Sequence, residues 1–206
     1  NLSTLEEGYG INLVPLATFA METYKDDDCK EFLPKLSGGA AAMDEKTQRL
    51  TSQMHKAIAV IQFKLESQLF KKHPEWKMKD RCLFDHIDYR KGKVEIYGKE
   101  YDMTSCHFPT IDPDNPDKLS EEEEILIQKL HHSFMVCEKL HKHINVMLQH
   151  GCMYAIFNNN LLFHASCPLN EDGSLKEVEI YPGKKFSGRA LMHHTGMQIR
   201  TAFQSD

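Results

Sequence analysis

One histidine, His164, follows a short run of strand-forming residues and precedes a polar turn. Residues 161–163 favour an extended strand after the asparagines at 158–160, and Pro168 with the polar stretch 170–173 ends that strand. A histidine at the end of a strand has its ring nitrogens held in a fixed direction, which suits a metal ligand. From spacing alone, a buried and hydrogen-bonded structural histidine is still the favoured interpretation, because a single ligand is not a metal site.

The other histidines carry a weaker signal for metal binding. Five lie on one predicted helix, but a helical pair needs a spacing of three or four residues, and His141 and His143 point to nearly opposite sides. The sequence contains no His-Glu-x-x-His motif. We therefore predict a solvated polar face for these five histidines and for the pair on the last helix. The seven residues are His131, His132, His141, His143, His150, His193 and His194.

Phosphate binding has one candidate segment. Lys184, Lys185 and Arg189 flank Ser187 and Gly188 at a predicted helix start, where main-chain amides and a cation could hold a phosphate. An exposed helix cap with solvated basic side chains is the favoured alternative. The sequence has no glycine-rich phosphate loop, nucleophile elbow or dinucleotide-binding fingerprint, which excludes those enzyme classes.

The composition limits the partners and the compartment. The 206 residues have a net charge of −5, which argues against general nucleic-acid binding because such modules carry a concentrated basic surface. None of the six cysteines forms a Cys-x-x-Cys pair, so we predict reduced thiols in a cytoplasmic protein. The longest aliphatic run, residues 57–61, is too short for a bilayer, so we predict no membrane partner. The chain does not begin with methionine, and we expect a fragment of a longer polypeptide.

The elements that must position these side chains divide the chain into a helix-rich and a strand-rich part. Apolar residues recur three or four apart in the first part, and Ser120 with Glu123 forms a capping-box pattern ahead of one long helix. We predict an α+β fold, with a mainly helical region that holds one β-hairpin over 1–150 and a β-rich region that ends in a helix over 151–206. The predicted elements are helices at 13–24, 51–73, 120–151 and from 187, a hairpin at 93–103, strands at 153–157, 161–164 and 177–181, and a linker at 37–42.

Two local predictions concern side-chain placement. The hairpin at 93–103 is expected to turn at Gly98 and Lys99, with the glycine at the first turn position. The 51–73 helix is expected to be packed on two sides. Its predicted apolar face consists of Met54, Ile58, Ile61, Leu65 and Leu69.

The segment from Asn158 to Gly173 resembles one in bacterial class III fructose-1,6-bisphosphatases. The family segment reads approximately Tyr-Asn-Gly-Asn-Leu-Leu-Tyr-His-Gly-Cys-Ile-Pro-Leu-Asn-Glu-Asp-Gly, and this chain reads Asn-Asn-Asn-Leu-Leu-Phe-His-Ala-Ser-Cys-Pro-Leu-Asn-Glu-Asp-Gly. The likeness covers nearly the whole chain in order, which is far more specific than one motif. The other similar stretches are 4–13, 54–59, 61–66 and 108–113.

Members of that family are calcineurin-like metallophosphatases, so the resemblance implies that His164 is a metal ligand. The resemblance implies a pair of divalent metal ions, with Mn²⁺ as the expected metal. It also implies a metallophosphatase-type sheet sandwich, of which this chain holds a part. Three family motifs that supply most of the dinuclear site are absent from the chain: Asp-x-His, Gly-Asp-x-x-Asp-Arg-Gly and Gly-Asn-His-Asp/Glu. The resemblance therefore implies a site completed outside this chain. Residues 165–167 replace the family's Gly-Cys-Ile, which predicts a differently shaped turn.

The resemblance implies a cytoplasmic hydrolase that removes the 1-phosphate of the small sugar phosphate fructose 1,6-bisphosphate in gluconeogenesis, by two-metal-assisted hydrolysis. No catalytic or sugar-binding residue can be assigned within the chain, and we expect it to be inactive alone. Two alternatives stay open, namely another calcineurin-like phosphoesterase, for example one acting on phosphoproteins, and a helical interaction module without catalysis. Assembly as a homo-oligomer also stays open.

Overall fold

The computed structural model describes residues 2–34, 44–164 and 166–205, and it confirms the α+β class. The predicted linker at 37–42 lies outside the described residues. The chain forms two compact units, residues 1–137 and 138–206. Its helices are α1 (Val14–Thr23), α2 (Glu45–Lys72), α3 (Glu121–Met135), α4 (Glu138–His150) and α5 (Gly188–Gln204). Its strands are β1 (Ile87–Asp88), β2 (Lys93–Ile96), β3 (Lys99–Asp102), β4 (Tyr154–Phe157), β5 (Asn160–Phe163), β6 (Val178–Tyr181) and β7 (Lys184–Phe186).

The core of the first unit forms where α1, α2 and α3 pack together. Leu16 and Ala20 of α1 are buried with Ala57 and Ile61 of α2, and Leu126 of α3 belongs to the same cluster. Full burial of an aliphatic side chain of this size contributes about 1.5–3 kcal/mol. The spacing of apolar residues predicted α1 within one residue at each end. It also predicted α2, which begins at Glu45, six residues before the predicted start at residue 51.

The buried face of α2 differs from its predicted face. Leu65 and Leu69 are 37% and 44% exposed, whereas Lys56 and Lys64 are 1% and 0% exposed. Met54 and Ile61 are buried as predicted. The lysines enter the interior because carboxylates from distant parts of the chain pair with their ammonium groups, and helical periodicity does not report such partners.

The predicted long helix from Ser120 to Gly151 is two helices, because α3 ends at Met135 and α4 begins at Glu138. The capping box at its start is confirmed, with the Ser120 hydroxyl accepting from the amide of Glu123 and the Glu123 carboxylate accepting from the amide of Ser120. Buried apolar residues occur on α3 and not within α4. The interruption therefore coincides with the point where the helix loses its contacts with the core.

The strands of the first unit form a small antiparallel sheet in the order β1-β2-β3. The predicted hairpin is present, but its turn consists of Tyr97 and Gly98, with Ile96 paired to Lys99. Both turn residues have positive φ, 49° and 73°, as a two-residue turn of type I′ requires. Gly98 therefore takes the second turn position and not the first.

The second unit contains α4, the hairpins β4-β5 and β6-β7, and α5. Ser187 precedes α5, as predicted, although its side chain makes no capping hydrogen bond. Leu191 is the buried apolar side chain of α5, while Ile199 and Phe203, which belong to the same predicted stripe, are 47% and 40% exposed. Among the described helices of both units, none is both long and apolar enough to cross a membrane.

Candidate functional site

His164 lies one residue beyond β5, and its side chain is exposed. The hairpin that carries it has a regular antiparallel register, in which Tyr154 pairs with Phe163 and Phe157 with Asn160. The exposure of His164 contradicts the interpretation of a buried structural histidine. It leaves the ring nitrogens open to a ligand from outside the hairpin.

The turn of this hairpin explains why the sequence places His164 where it does. Asn158 and Asn159 both have positive φ, 47° and 61°, which asparagine tolerates better than other residues that carry a β-carbon. A two-residue turn of this kind fixes the pairing register of the strands. The register in turn sets the residue at which β5 ends, directly before the histidine.

The polar segment after the histidine is held by local hydrogen bonds. The Asp172 carboxylate accepts from both the amide and the hydroxyl of Ser174, at 2.9 and 2.6 Å, and these bonds lower the pKa of Asp172. The Asn170 side chain donates to the same hydroxyl at 2.9 Å, and Gly173 has a φ of 81°. This segment is therefore a compact turn, as its composition predicted. Ala165, at which the chain departs from the family's glycine, lies outside the described residues.

The described residues form no complete metal-binding group around His164. Within residues 2–34, 44–164 and 166–205, no group of three or more His, Cys, Asp or Glu side chains is arranged to hold a metal ion. What the structure provides at this position is one accessible imidazole at the end of a strand. A neutral imidazole is the commonest protein metal ligand, so this donor fits one coordination position of a transition-metal centre.

The strands beside His164 expose an unusual amount of apolar surface. Ile156 and Phe157 of β4 are 68% and 69% exposed, and Leu161 and Leu162 of β5 are 57% and 53% exposed. Ile156 and Leu161 share one face of the hairpin, while Phe157 and Leu162 lie on the other, so both faces expose large apolar side chains. Exposed apolar surface of this kind marks places where a protein contacts another structural element.

The other histidines that the sequence offered form no metal-binding group among the described residues. His131, His132, His143 and His150 are exposed, in agreement with the predicted solvated face, whereas His141, predicted to lie on the same face, is partly buried. His194 packs on the ring of Phe186 at 3.8 Å between centroids, so it takes part in a local aromatic contact.

The basic residues near Ser187 are exposed at the start of α5. Lys184 and Lys185 extend from β7, while the Arg189 guanidinium lies 5.9 Å from the ring centroid of Tyr154. An exposed helix start with solvated basic side chains, the favoured alternative, agrees with these positions.

Sequence reasoning missed a polar cluster around Lys56. The Lys56 ammonium donates to Asp27 Oδ2 at 2.7 Å and lies 5.3–5.8 Å from the ring centroids of Tyr24, Phe32 and Phe108. Partial burial favours a higher pKa for Asp27, but the hydrogen bond from Lys56 and the amide of Cys29 outweigh burial and hold the pKa far below its usual range.

The same cluster includes two groups whose ionisation is suppressed. Burial raises the pKa of the Cys29 thiol to about 12, so the thiol is protonated and unreactive at neutral pH. Burial also raises the pKa of Tyr24, and the negative charges nearby raise it further. The cluster therefore joins α2 to the segment after α1 through an ion pair in which the lysine is buried and the carboxylate is partly exposed. A lysine inside an apolar helical stripe is the signal by which the sequence could have indicated it.

The family comparison covers the whole chain. Residues 1–206 match the family model described as Firmicute fructose-1,6-bisphosphatase. Relatives named fructose-1,6-bisphosphatase class 3 include those of Parabacteroides distasonis, 53% identical, Bacteroides thetaiotaomicron, 51% identical, and Clostridium novyi, 49% identical. Each alignment covers 98% of this chain and 30% of the relative. The chain thus spans about a third of the length of these relatives, and no solved structure matches it.

Proposed function

This chain belongs to the Firmicute fructose-1,6-bisphosphatase family, and from that premise we propose that the protein hydrolyses the 1-phosphate of fructose 1,6-bisphosphate. The observation that carries the proposal is identity near 50% to class 3 enzymes over 98% of the chain. Because the alignment covers 30% of each relative, the activity is proposed for the full-length protein. Its cytoplasmic location and its place in gluconeogenesis belong to the same proposal.

His164 is proposed to be one ligand of a divalent metal pair, with the other ligands outside this chain. The supporting observations are the exposed imidazole, its position directly after β5 and the hydrogen-bonded turn that follows. A neutral imidazole donates a ring nitrogen lone pair without adding negative charge, so it leaves the metal pair strongly electropositive. When bound, such a pair supplies a nucleophilic hydroxide at neutral pH and neutralises charge on the phosphoryl group.

The β4-β5 hairpin is proposed to be part of a larger metallophosphatase-type sheet sandwich. A two-stranded hairpin is marginally stable alone, and a third strand or a packed helix is needed to bury its apolar face. Apolar side chains are exposed on both faces of the hairpin, Ile156 and Leu161 on one and Phe157 on the other. This exposure supports the proposal, since burial inside a layered sandwich would remove these side chains from water. Covering both faces would also hold the strand end, and hence His164, more rigidly.

The substrate can be tested with the purified full-length protein and a panel of phosphate esters. Fructose 1,6-bisphosphate should be hydrolysed fastest, and ³¹P NMR of the product should show the 6-phosphate retained. Faster release from a phosphoserine peptide would favour a phosphoprotein phosphatase instead. Absence of phosphate release from every ester, with Mn²⁺ supplied, would favour the non-catalytic interaction module.

A further inference from the structure

A cavity with only apolar side chains in its lining lies within the first unit. Its volume is about 230 Å³. Four aromatic rings frame it, and the Phe84 ring makes edge-to-face contacts with Phe63 and Phe108 at centroid distances of 6.0 and 5.7 Å. Phe32 and Met103 also line this cavity. A cavity of about 150 Å³ lined by similar residues binds benzene, so this one has room for a single substituted aromatic ring.

A second, polar cavity adjoins the apolar one. It has a volume of about 430 Å³ and shares Phe63, Leu83 and Ile96 with the first cavity. The shared side chains place the two cavities next to each other. Together they have the composition of a small-molecule site, a mainly apolar chamber with a few polar groups at one end.

The charges of the polar cavity indicate the sign of the ligand's head group. Its lining includes the carboxylates of Glu66, Asp80 and Glu95 and one guanidinium, Arg81. Three negative charges face one positive charge, so a cationic head group is favoured over an anionic one. No ion pair joins Arg81 to these carboxylates in the part of the chain that the structure describes.

We propose that the first unit binds a small organic cation, an arylalkylamine, with its ring in the cavity framed by Phe63, Phe84 and Phe108 and its ammonium group beside Glu66 and Glu95. The apolar volume selects one aromatic ring, and the surplus of carboxylates selects a positive head. The lining that carries the proposal does not include His164, so it is independent of the proposed hydrolysis.

The test compares two probes of similar shape and opposite charge, 2-phenylethylamine and 3-phenylpropanoate. In the full-length protein labelled with ¹³C-methyl methionine, the amine should shift the Met103 methyl resonance saturably, because an aromatic ring beside that methyl changes its local field. The carboxylate probe should bind at least tenfold more weakly. Equal affinity for the two probes, or no saturable shift with the amine, would overturn the proposal.

Two variants locate the site and guard against misfolding. Glu95 is exposed, so Glu95→Gln should preserve the fold and weaken the amine roughly threefold, as expected for loss of one partly screened charge. The control Glu124→Gln changes an exposed carboxylate on α3 outside both cavities and should leave the affinity unchanged. Ala59→Leu should fill part of the apolar cavity and abolish the Met103 shift. Unchanged binding in both Glu95→Gln and Ala59→Leu would refute the site.

Discussion

Replacing Lys64 by methionine should destabilise the first unit far more than an ordinary lysine substitution. The Lys64 ammonium is fully buried and donates to Glu123 Oε2 at 2.7 Å and to the main-chain oxygen of Thr110 at 2.6 Å. In Lys64→Met, the buried Glu123 carboxylate keeps only the hydrogen bond from the Ser120 amide, at 2.8 Å. Its Oε1 atom already lacks a partner in the described structure. The variant would therefore hold a nearly uncompensated charge in the interior.

The expected loss follows from the burial of both partners. Glu123 is 1% exposed, and breaking a buried pair by removing one member costs about 3–5 kcal/mol. The double variant Lys64→Met/Glu123→Gln removes the stranded charge and should recover about 1–3 kcal/mol of that loss. Lys71→Met is the matched control, because Lys71 lies on the same helix but is 39% exposed beside Asp85 and Asp117. An exposed pair of that kind contributes at most about 1 kcal/mol.

Urea unfolding followed by Trp76 fluorescence measures these differences in the correct unit. Trp76 is the only tryptophan in the chain and stacks on His73 directly after α2, with ring centroids 4.2 Å apart. A loss for Lys64→Met no larger than that for Lys71→Met would refute the claim that a buried pair holds α3 to α2. Additivity of the Lys64 and Glu123 substitutions would refute it as well.

Three further predictions concern acid stability and the two tight backbone positions of the second unit. The native pKa of Asp27 lies below its unfolded value near 3.8, so the stability that Asp27 contributes is complete above about pH 4 and is lost as the pH falls toward the native pKa. Asp27→Asn should therefore flatten the acid limb of a pH–stability curve. An unchanged limb would contradict this prediction. Asn159→Val should strain the turn at a φ of 61° by about 1–2 kcal/mol and speed hydrogen exchange of the β4-β5 amides, whereas Asn159→Gly should not. Gly188→Ala should lower the melting temperature of the second unit, because Gly188 has a φ of 48° and a β-carbon there would lie 2.8 Å from Leu175 Cδ1. An unchanged melting temperature would contradict both the backbone strain and the steric clash.

Local patterns in the sequence predicted most of the elements. Helical spacing identified α1 and α2, and the capping box formed by Ser120 and Glu123 was found with both of its hydrogen bonds. The β4-β5 hairpin was predicted within one residue at each end, because its asparagines and apolar residues act over a few positions. Features of this kind depend only on neighbours in the chain.

Features that depend on distant partners were not predicted. Lys56 and Lys64 are buried because Asp27 and Glu123, 29 and 59 residues away, pair with them. The end of α3 near Met135 has no proline or glycine to indicate it and coincides with the edge of the core. The position of His164 at the end of a strand could be predicted from local patterns. The remaining ligands of the proposed metal site are expected outside this chain, so no local pattern within it could indicate them.

The most direct test of the proposed metallophosphatase is to substitute His164 in the full-length protein. His164→Ala should lower both the bound manganese per chain, measured by elemental analysis, and the rate of phosphate release from fructose 1,6-bisphosphate. The control His150→Ala changes an exposed histidine at the end of α4 and should alter neither quantity. Full manganese content and full turnover in His164→Ala would contradict the assignment of His164 as a metal ligand.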